Sequence, residues 1–301
     1  MLQSEMSALA AQRSPDLTPR ILKAAASLGL LGGTSLSAPR ILAALCNPGT
    51  TLPEIAALIG HEPGLAVRVL RVANSAFYGL SRSVTTLERA MAVLGLDAVR
   101  GIAAAACLDR TVMRSPETAV VNRAGLVRHS LATGAAAESL ARRGHRALAS
   151  EAFISGLLHN LGVPLQAMLD LEGVKSMVDA LLVDEAQDIR LLETMGAVPS
   201  HERCVAIIFD SWNLPASLIK AVSHHHAPLE ASDPHRKLAA LLHLGMHVAW
   251  RSGFHFPLEP AMPDPPQEAM ALLHLTAEDV DTVTQDLPVR LGQLQQALAD
   301  V

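Results

Sequence analysis

Residues 156–165, GLLHNLGVPL, set His159 and Asn160 side by side in an otherwise apolar, helix-like run. Polar side chains in such a place need hydrogen-bond partners, a metal or a reaction to justify them. A His-Asp pair can clamp a cation, whereas asparagine offers only a neutral carbonyl. The pair therefore reads as a working metal site, a damaged one, or a satisfied polar pair in a core, where Asn160 supplies both a donor and an acceptor. Thirteen histidines in 301 residues keep the metal reading open, because imidazoles alone hold zinc, nickel or iron where three converge.

Other chemistries have less to rest on. No G-x-S-x-G elbow, P-loop, G-x-G-x-x-G or H-E-x-x-H occurs, which leaves nucleophilic, nucleotide-cradling and zincin mechanisms without a motif. The acid pairs Asp184/Glu185 and Glu278/Asp279 lie in polar stretches and read as solvated faces or first-turn charges at helix starts. Cys46, Cys107 and Cys204 are far apart, odd in number and free of C-x-x-C spacing, as expected of small buried hydrophobes in a reducing compartment. A net charge of −5 and a pI near 6.2 give no basic field for a phosphate backbone, apart from the local patch Arg142, Arg143, His145 and Arg146. The start, MLQSEMSALAAQRSPDL, lacks the pattern of a secretory signal, and the most apolar later run, LAALLHLGMHVAW, is shorter than the roughly 20 residues of a membrane span. The expectation is a cytoplasmic protein with no membrane contact.

The elements that must position these residues are helices. Half of the sequence is apolar and only 3% aromatic, Ala and Leu abound, and no Val/Ile/Thr-rich stretch alternates with period two. Thr51-x-x-Glu54 and Thr85-x-x-Glu88 have the form of capping boxes, and Asp97, Ser200, Asn213 and Thr276 that of N-caps. At least eight helices follow. Leu65, Val69, Leu70, Val72 and Ala73 make one apolar face, and Leu87, Met91 and Leu94 a seam in the next helix. Asn74 suits a left-handed turn at a helix end, Gly79 the next turn, and Phe77 and Tyr78 supply bulk. The polar run 113–123 divides two helical parts; the proline-rich run 256–268 is a loop; Pro288 must kink or split the last helix. The histidines at 61, 145, 235, 243, 247, 255 and 274 are expected at the surface or at helix ends.

Read in order, PEIAALIGHEPGLAVRVLRVANSAFYGL, VTTLERAMAVLGLDAVRGIAAAACL, RHSLATGAAAESLA, EAFISGLLHNLG, HERCVAIIFDSWNLP and AVSHHHAP resemble the HDOD family, a bacterial regulatory relative of the HD phosphohydrolases. The resemblance implies an all-α chain, a helical N-terminal subdomain packed on an HD-like bundle. Its parts would be an N-terminal extension (1–29), the HDOD domain (30–250, split as 30–112 and 124–250) and a C-terminal loop and helical extension (251–301). It matches His129 to the first superfamily metal ligand, His159 and Asn160 to the naming His-Asp pair, and His201 with the run 224–226 to the later histidines. His225 and His226 are the ones carried over from that run. The last ligand aspartate falls at Met246, so both superfamily aspartates are missing.

With no carboxylate to grip a hard cation, the expectation is a centre that recognises rather than cuts, with no cofactor beyond a residual zinc, iron or nickel ion. The resemblance implies a non-catalytic signal-transduction protein acting by contact with a protein partner, in a context often shared with cyclic-di-GMP signalling. A groove between the N-terminal helices and the bundle would take the partner. The competing reading is a metal-dependent phosphohydrolase for a nucleotide or cyclic dinucleotide, its cation held by His129, His159, His201 and one or both of His225 and His226. A nucleic-acid regulator working through the patch 142–146 is the weakest of the three.

Overall fold

A computed structural model of the chain describes residues 17–31, 37–47, 49–75, 78, 80, 82–115, 122–183, 189–195, 199–259, 261–262 and 264–299. Phe77, Gly79, Asp184 and Glu185 lie outside these, as does most of the polar run 113–123. The described residues form fifteen α-helices and three short 3₁₀ turns, with no strand among them. The N-terminal half holds α1 (Thr18–Ser27), α2 (Ser37–Cys46), α3 (Leu52–Gly60), α4 (Pro63–Ala73), α5 (Leu87–Arg114) and α6 (Arg123–Gly144). Then follow α7 (Ala149–Leu158), α8 (Gly162–Leu169), α9 (Leu171–Val183), α10 (Ile189–Met195), α11 (His201–Ser211), α12 (Ala216–Ser223), α13 (Arg236–Arg251), α14 (Gln267–Leu273) and α15 (Ala277–Ala299).

Apolar stripes sort these helices into two cores that share one helix. Ile41, Ile55, Ile59, Leu65 and Val69 pack against Met91, Val99 and Ile102 from the first part of α5. Further along the same helix Ala104, Cys107, Leu108 and Val112 enter the larger core with α6 to α15. Within the first part the helix breaks at Gly95, whose φ of 77° and ψ of 161° only a residue without Cβ adopts cheaply. Chain beyond the expected domain also joins the large core: Ile21 and Ala25 of α1 with Leu28 just after it, and Phe256, Leu258, Leu273, Val280, Leu287 and Leu291 from the C-terminal extension. The last helix continues through Pro288 instead of splitting there.

Several local expectations hold and several shift. Thr51 and Glu54 form the box, with the Thr51 amide donating to Glu54 at 2.8 Å. Ser200 caps α11 and Thr276 caps α15. The second box is displaced by one residue, since Thr86, not Thr85, accepts from Arg89. Asn213 is not an N-cap but a left-handed residue with φ 55° after α11. Asp97 lies inside α5, just beyond the Gly95 break. Asn74 stays at φ −91° and acts through its side chain, donating to the carbonyls of Leu70 and Val84 and accepting from the Val84 amide. It staples the 74–84 connection shut, which a left-handed backbone would not do.

Two helical stretches, Leu87–Arg114 and Arg146–Leu169, are long and apolar enough to cross a membrane by length and composition, the second being 83% buried inside the fold. Two close approaches set the frame of the site. A Cβ on Gly156 would lie 2.6 Å from the Gly134 Cα, so α6 and α7 cross in backbone contact. A Cβ on Gly162 would lie 2.0 Å from the His201 carbonyl oxygen, so α8 presses against the first residue of α11.

Candidate metal centre

Those crossings bring five histidines from four segments into one buried space. His129 lies on α6, His159 in the 3₁₀ turn that follows α7, His201 at the start of α11, and His225 and His226 in the turn after α12. The side chains of all five are between 0 and 5% exposed. Ring centroids lie 5.4 Å apart for His129 and His159, 5.1 Å for His159 and His225, and 4.2 Å for His225 and His226. The sequence-derived set therefore meets in space, Asn160 included. His224 does not join it; its Nδ1 lies 3.0 Å from the Lys220 carbonyl on a half-buried side chain.

The ring nitrogens are sorted. His129, His159 and His225 each place Nδ1 2.7–2.8 Å from a backbone carbonyl, those of Phe254, Gly156 and Val222. A carbonyl only accepts, so each Nδ1 carries a hydrogen and each ring turns its Nε2 inward. His201 gives its Nδ1 to Glu193 Oε1 at 2.7 Å, the carboxylate-histidine arrangement that orients and strengthens a metal-ligating imidazole. Its Nε2 stands 3.0 Å from that of His225 and 3.1 Å from that of His226. Ring nitrogens at that spacing need a proton or a cation among them.

A carboxylate that sequence reasoning missed completes the centre. Glu259, 4% exposed, enters from the loop between α13 and α14. Its Oε1 accepts from Asn160 Nδ2 at 2.7 Å and lies 3.3 Å from His159 Nε2 and 3.7 Å from His129 Nε2. Its Oε2 lies 3.9 Å from His226 Nε2. The expectation that no anionic oxygen remains at the centre is thereby overturned. Asn160 and Met246 are indeed not carboxylates, but the extension returns one from 99 residues beyond Asn160. The only signal was a lone glutamate in the apolar end of a proline-rich loop, in FPLEP. Glu193 was missed likewise. His243 and His247, expected outside, are held on the apolar helix α13. The first donates to the His225 carbonyl, and the second, fully buried, to that of Met262.

Two trios of donor atoms, His129/His159/Glu259 and His201/His225/His226, each lie within 4.8 Å of one another. Burial presses His129 down to about 4 against the pull of Glu259, and burial with neighbouring imidazoles holds His225 and His226 well below their usual range. Burial alone would raise Glu259, but the hydrogen bond from His159 and the imidazoles around it keep it below the usual carboxylate range. At neutral pH an ionised carboxylate thus faces neutral His129, His225 and His226. Glu259 Oε2 and Asn160 Oδ1 are buried without a hydrogen-bond partner. Inward imidazole nitrogens, a buried carboxylate with one oxygen left unpaired and the orphaned carbonyl of Asn160 are the donor set of a divalent transition metal, so these residues fit such an ion.

Comparisons with known proteins bear on the fold and the family. Residues 35–228 match the model of the HDOD domain. An uncharacterized protein of Treponema pallidum (strain Nichols) is 25% identical over 198 residues, which cover 65% of this chain and 37% of that protein. A "Putative signal transduction protein" from Marinobacter aquaeolei VT8 superposes with a TM-score of 0.75 at 22% identity, over 99% of this chain and 65% of that one. A "Putative phosphohydrolase" from Shewanella amazonensis SB2B does so with a TM-score of 0.68 at 21% identity, over 92% and 97%. The chain spans little more than a third of the Treponema relative and about two thirds of the Marinobacter one. With the family model covering well over half of its length, this all-helical chain belongs to the HDOD domain family.

Proposed function

We propose that the chain is a cytoplasmic signalling module that binds a transition-metal ion such as zinc, iron or nickel in this centre and acts through contact with a protein partner, not by hydrolysis. The observation that carries the reading is Glu259. A loop-borne carboxylate seated among His129, His159 and Asn160 completes the donor set and at the same time closes it. The side chains of both trios and of Asn160 are at most 5% exposed. A catalytic metal keeps an open position for water or substrate, whereas a structural one has its shell filled. A bound ion here would supply charge compensation for Glu259 and tie the C-terminal extension to the bundle.

Partner contact has its own place in this reading. A cavity of about 1230 Å³ lies where the N-terminal helices, the bundle and α15 meet, walled by Leu94, Ile102, Phe153, Val289 and Leu294 with Arg142 and Arg290 at its polar side. In this reading a protein partner seats there, and a link to cyclic-di-GMP signalling rests on the family resemblance alone. The competing hydrolase reading draws on the paired trios and on the Shewanella neighbour. The two part company in one experiment. Purified protein should carry stoichiometric transition metal by elemental analysis and leave bis(p-nitrophenyl) phosphate and cyclic dinucleotides uncut. Turnover that a chelator abolishes sinks the non-hydrolytic reading, and protein that takes up no added zinc, nickel or iron sinks the metal centre.

A further inference from the structure

We infer that Glu259 occupies the seat of a tetrahedral oxyanion, so that the centre is a latent phosphate-binding site held closed by its own chain. The inference rests on the metal centre proposed above. The Glu259 carboxylate spans the two trios with its two oxygens, one towards His129 and His159 and the other towards His226. Two oxygens on one central atom, shared between two clusters of inward-facing lone pairs, are what an inorganic phosphate or a phosphate monoester presents to bound cations.

Asn160 suits that occupant better than the aspartate the superfamily keeps there. Its Nδ2 donates to Glu259 Oε1 at 2.7 Å, a contact that a phosphate oxygen can take over and that a second carboxylate would refuse. The seat also outlasts the removal of the side chain. The loop is held apart from Glu259 by Phe256 and Leu258, each 2% exposed, and by His247 donating to the carbonyl of Met262, with His129 donating to that of Phe254. Truncating Glu259 therefore leaves a walled hole of carboxylate size beside the imidazoles, with Asn160 as a ready donor.

The test is linkage between ion and anion, which is reciprocal by thermodynamic necessity. Zinc affinity is measured in zinc-buffered solution for the wild-type chain and for Glu259→Ala, with and without millimolar inorganic phosphate. Glu259→Ser is the second variant should the alanine form fold poorly. The variant should bind zinc at least about tenfold more weakly than wild type in plain buffer and recover most of that loss in phosphate, while wild-type affinity stays unchanged by phosphate. Zinc binding by the variant that phosphate does not improve makes Glu259 a plain ligand and overturns the inference. So does rescue by formate without rescue by phosphate, and so does an equal phosphate effect on the wild type. A wild-type chain that binds no zinc at all marks instead the failure of the metal centre itself.

Discussion

The two trios open onto the same buried space with opposite electrostatics. His129, His159 and Glu259 are drawn from α6, the turn after α7 and the C-terminal loop, and they include an anion that His129, kept neutral by burial, cannot balance. His201, His225 and His226 hold no carboxylate among their own donor atoms, but Glu193 behind His201 supplies a counter-charge for a proton. Burial opposes that proton, and the Glu193, Glu202 and Glu259 carboxylates outweigh burial, lifting His201 to about 9. The second trio already holds a hydrogen ion on His201 that can bridge to both of its neighbours. An arriving metal ion must therefore displace a proton there.

The largest effect should come from placing a second anion in the first trio. Asn160→Asp removes the amide that donates to Glu259 and sets two carboxylates in hydrogen-bond contact at a site where neither reaches water. Leaving a buried charge without its partner costs about 3–5 kcal/mol. Urea unfolding of the metal-free protein should show a loss of that order, and zinc should restore much of it. Adding Glu259→Gln to Asn160→Asp puts the amide on the other side of the same hydrogen bond and should recover most of the stability without metal. Equal stabilities for the single and double variants would break the view that Asn160 and Glu259 act as one pair.

The second trio should respond to pH where the first does not. His201 is raised in the fold above its ordinary 6.5, so its contribution to stability is complete below 6.5 and lost as pH rises through about 9. Burial raises Glu202 to about 7, which removes stability between 4.5 and 7 and leaves the window from 7 to 9 to His201. Metal-free protein should therefore lose on the order of 3 kcal/mol across that window, at 1.36 kcal/mol per pH unit. Glu193→Gln should flatten the loss by removing the carboxylate that supports the proton. A slope that survives the substitution would reassign the proton to another group.

How much of this could be read from sequence follows the same division. The five histidines and Asn160 could be placed because each stands in a segment with a recognisable order, and helical periodicity put those segments in one bundle. Glu259 could not: a loop has no period, and a contact made 100 residues beyond His159 leaves no mark on spacing. His243 and His247 defy the expectation that a polar residue faces outward, because α13 is buried along most of its middle and encloses the polar residues it carries there. Asn74 was identified as a helix end from its residue type, yet its clamp on Val84 depends on where the chain returns ten residues later. The bend at Gly95 escaped notice for a similar reason, since a single glycine within a helical pattern does not announce a positive φ.

The smallest expected effect separates geometry from composition within a single run of three histidines. His224 directly precedes His225 and His226, but its Nδ1 lies against the Lys220 carbonyl, and it belongs to neither trio. If the centre works by convergence, His224→Ala should leave zinc stoichiometry and affinity unchanged and move stability by less than about 0.5 kcal/mol, as a substitution away from the core does. If the run merely chelates as a histidine-rich segment, any of the three should matter alike, and His224→Ala should weaken zinc as much as His225→Ala. Side-by-side titrations of the two variants decide between these, because adjacent residues after α12 share sequence context and differ only in where the turn points them.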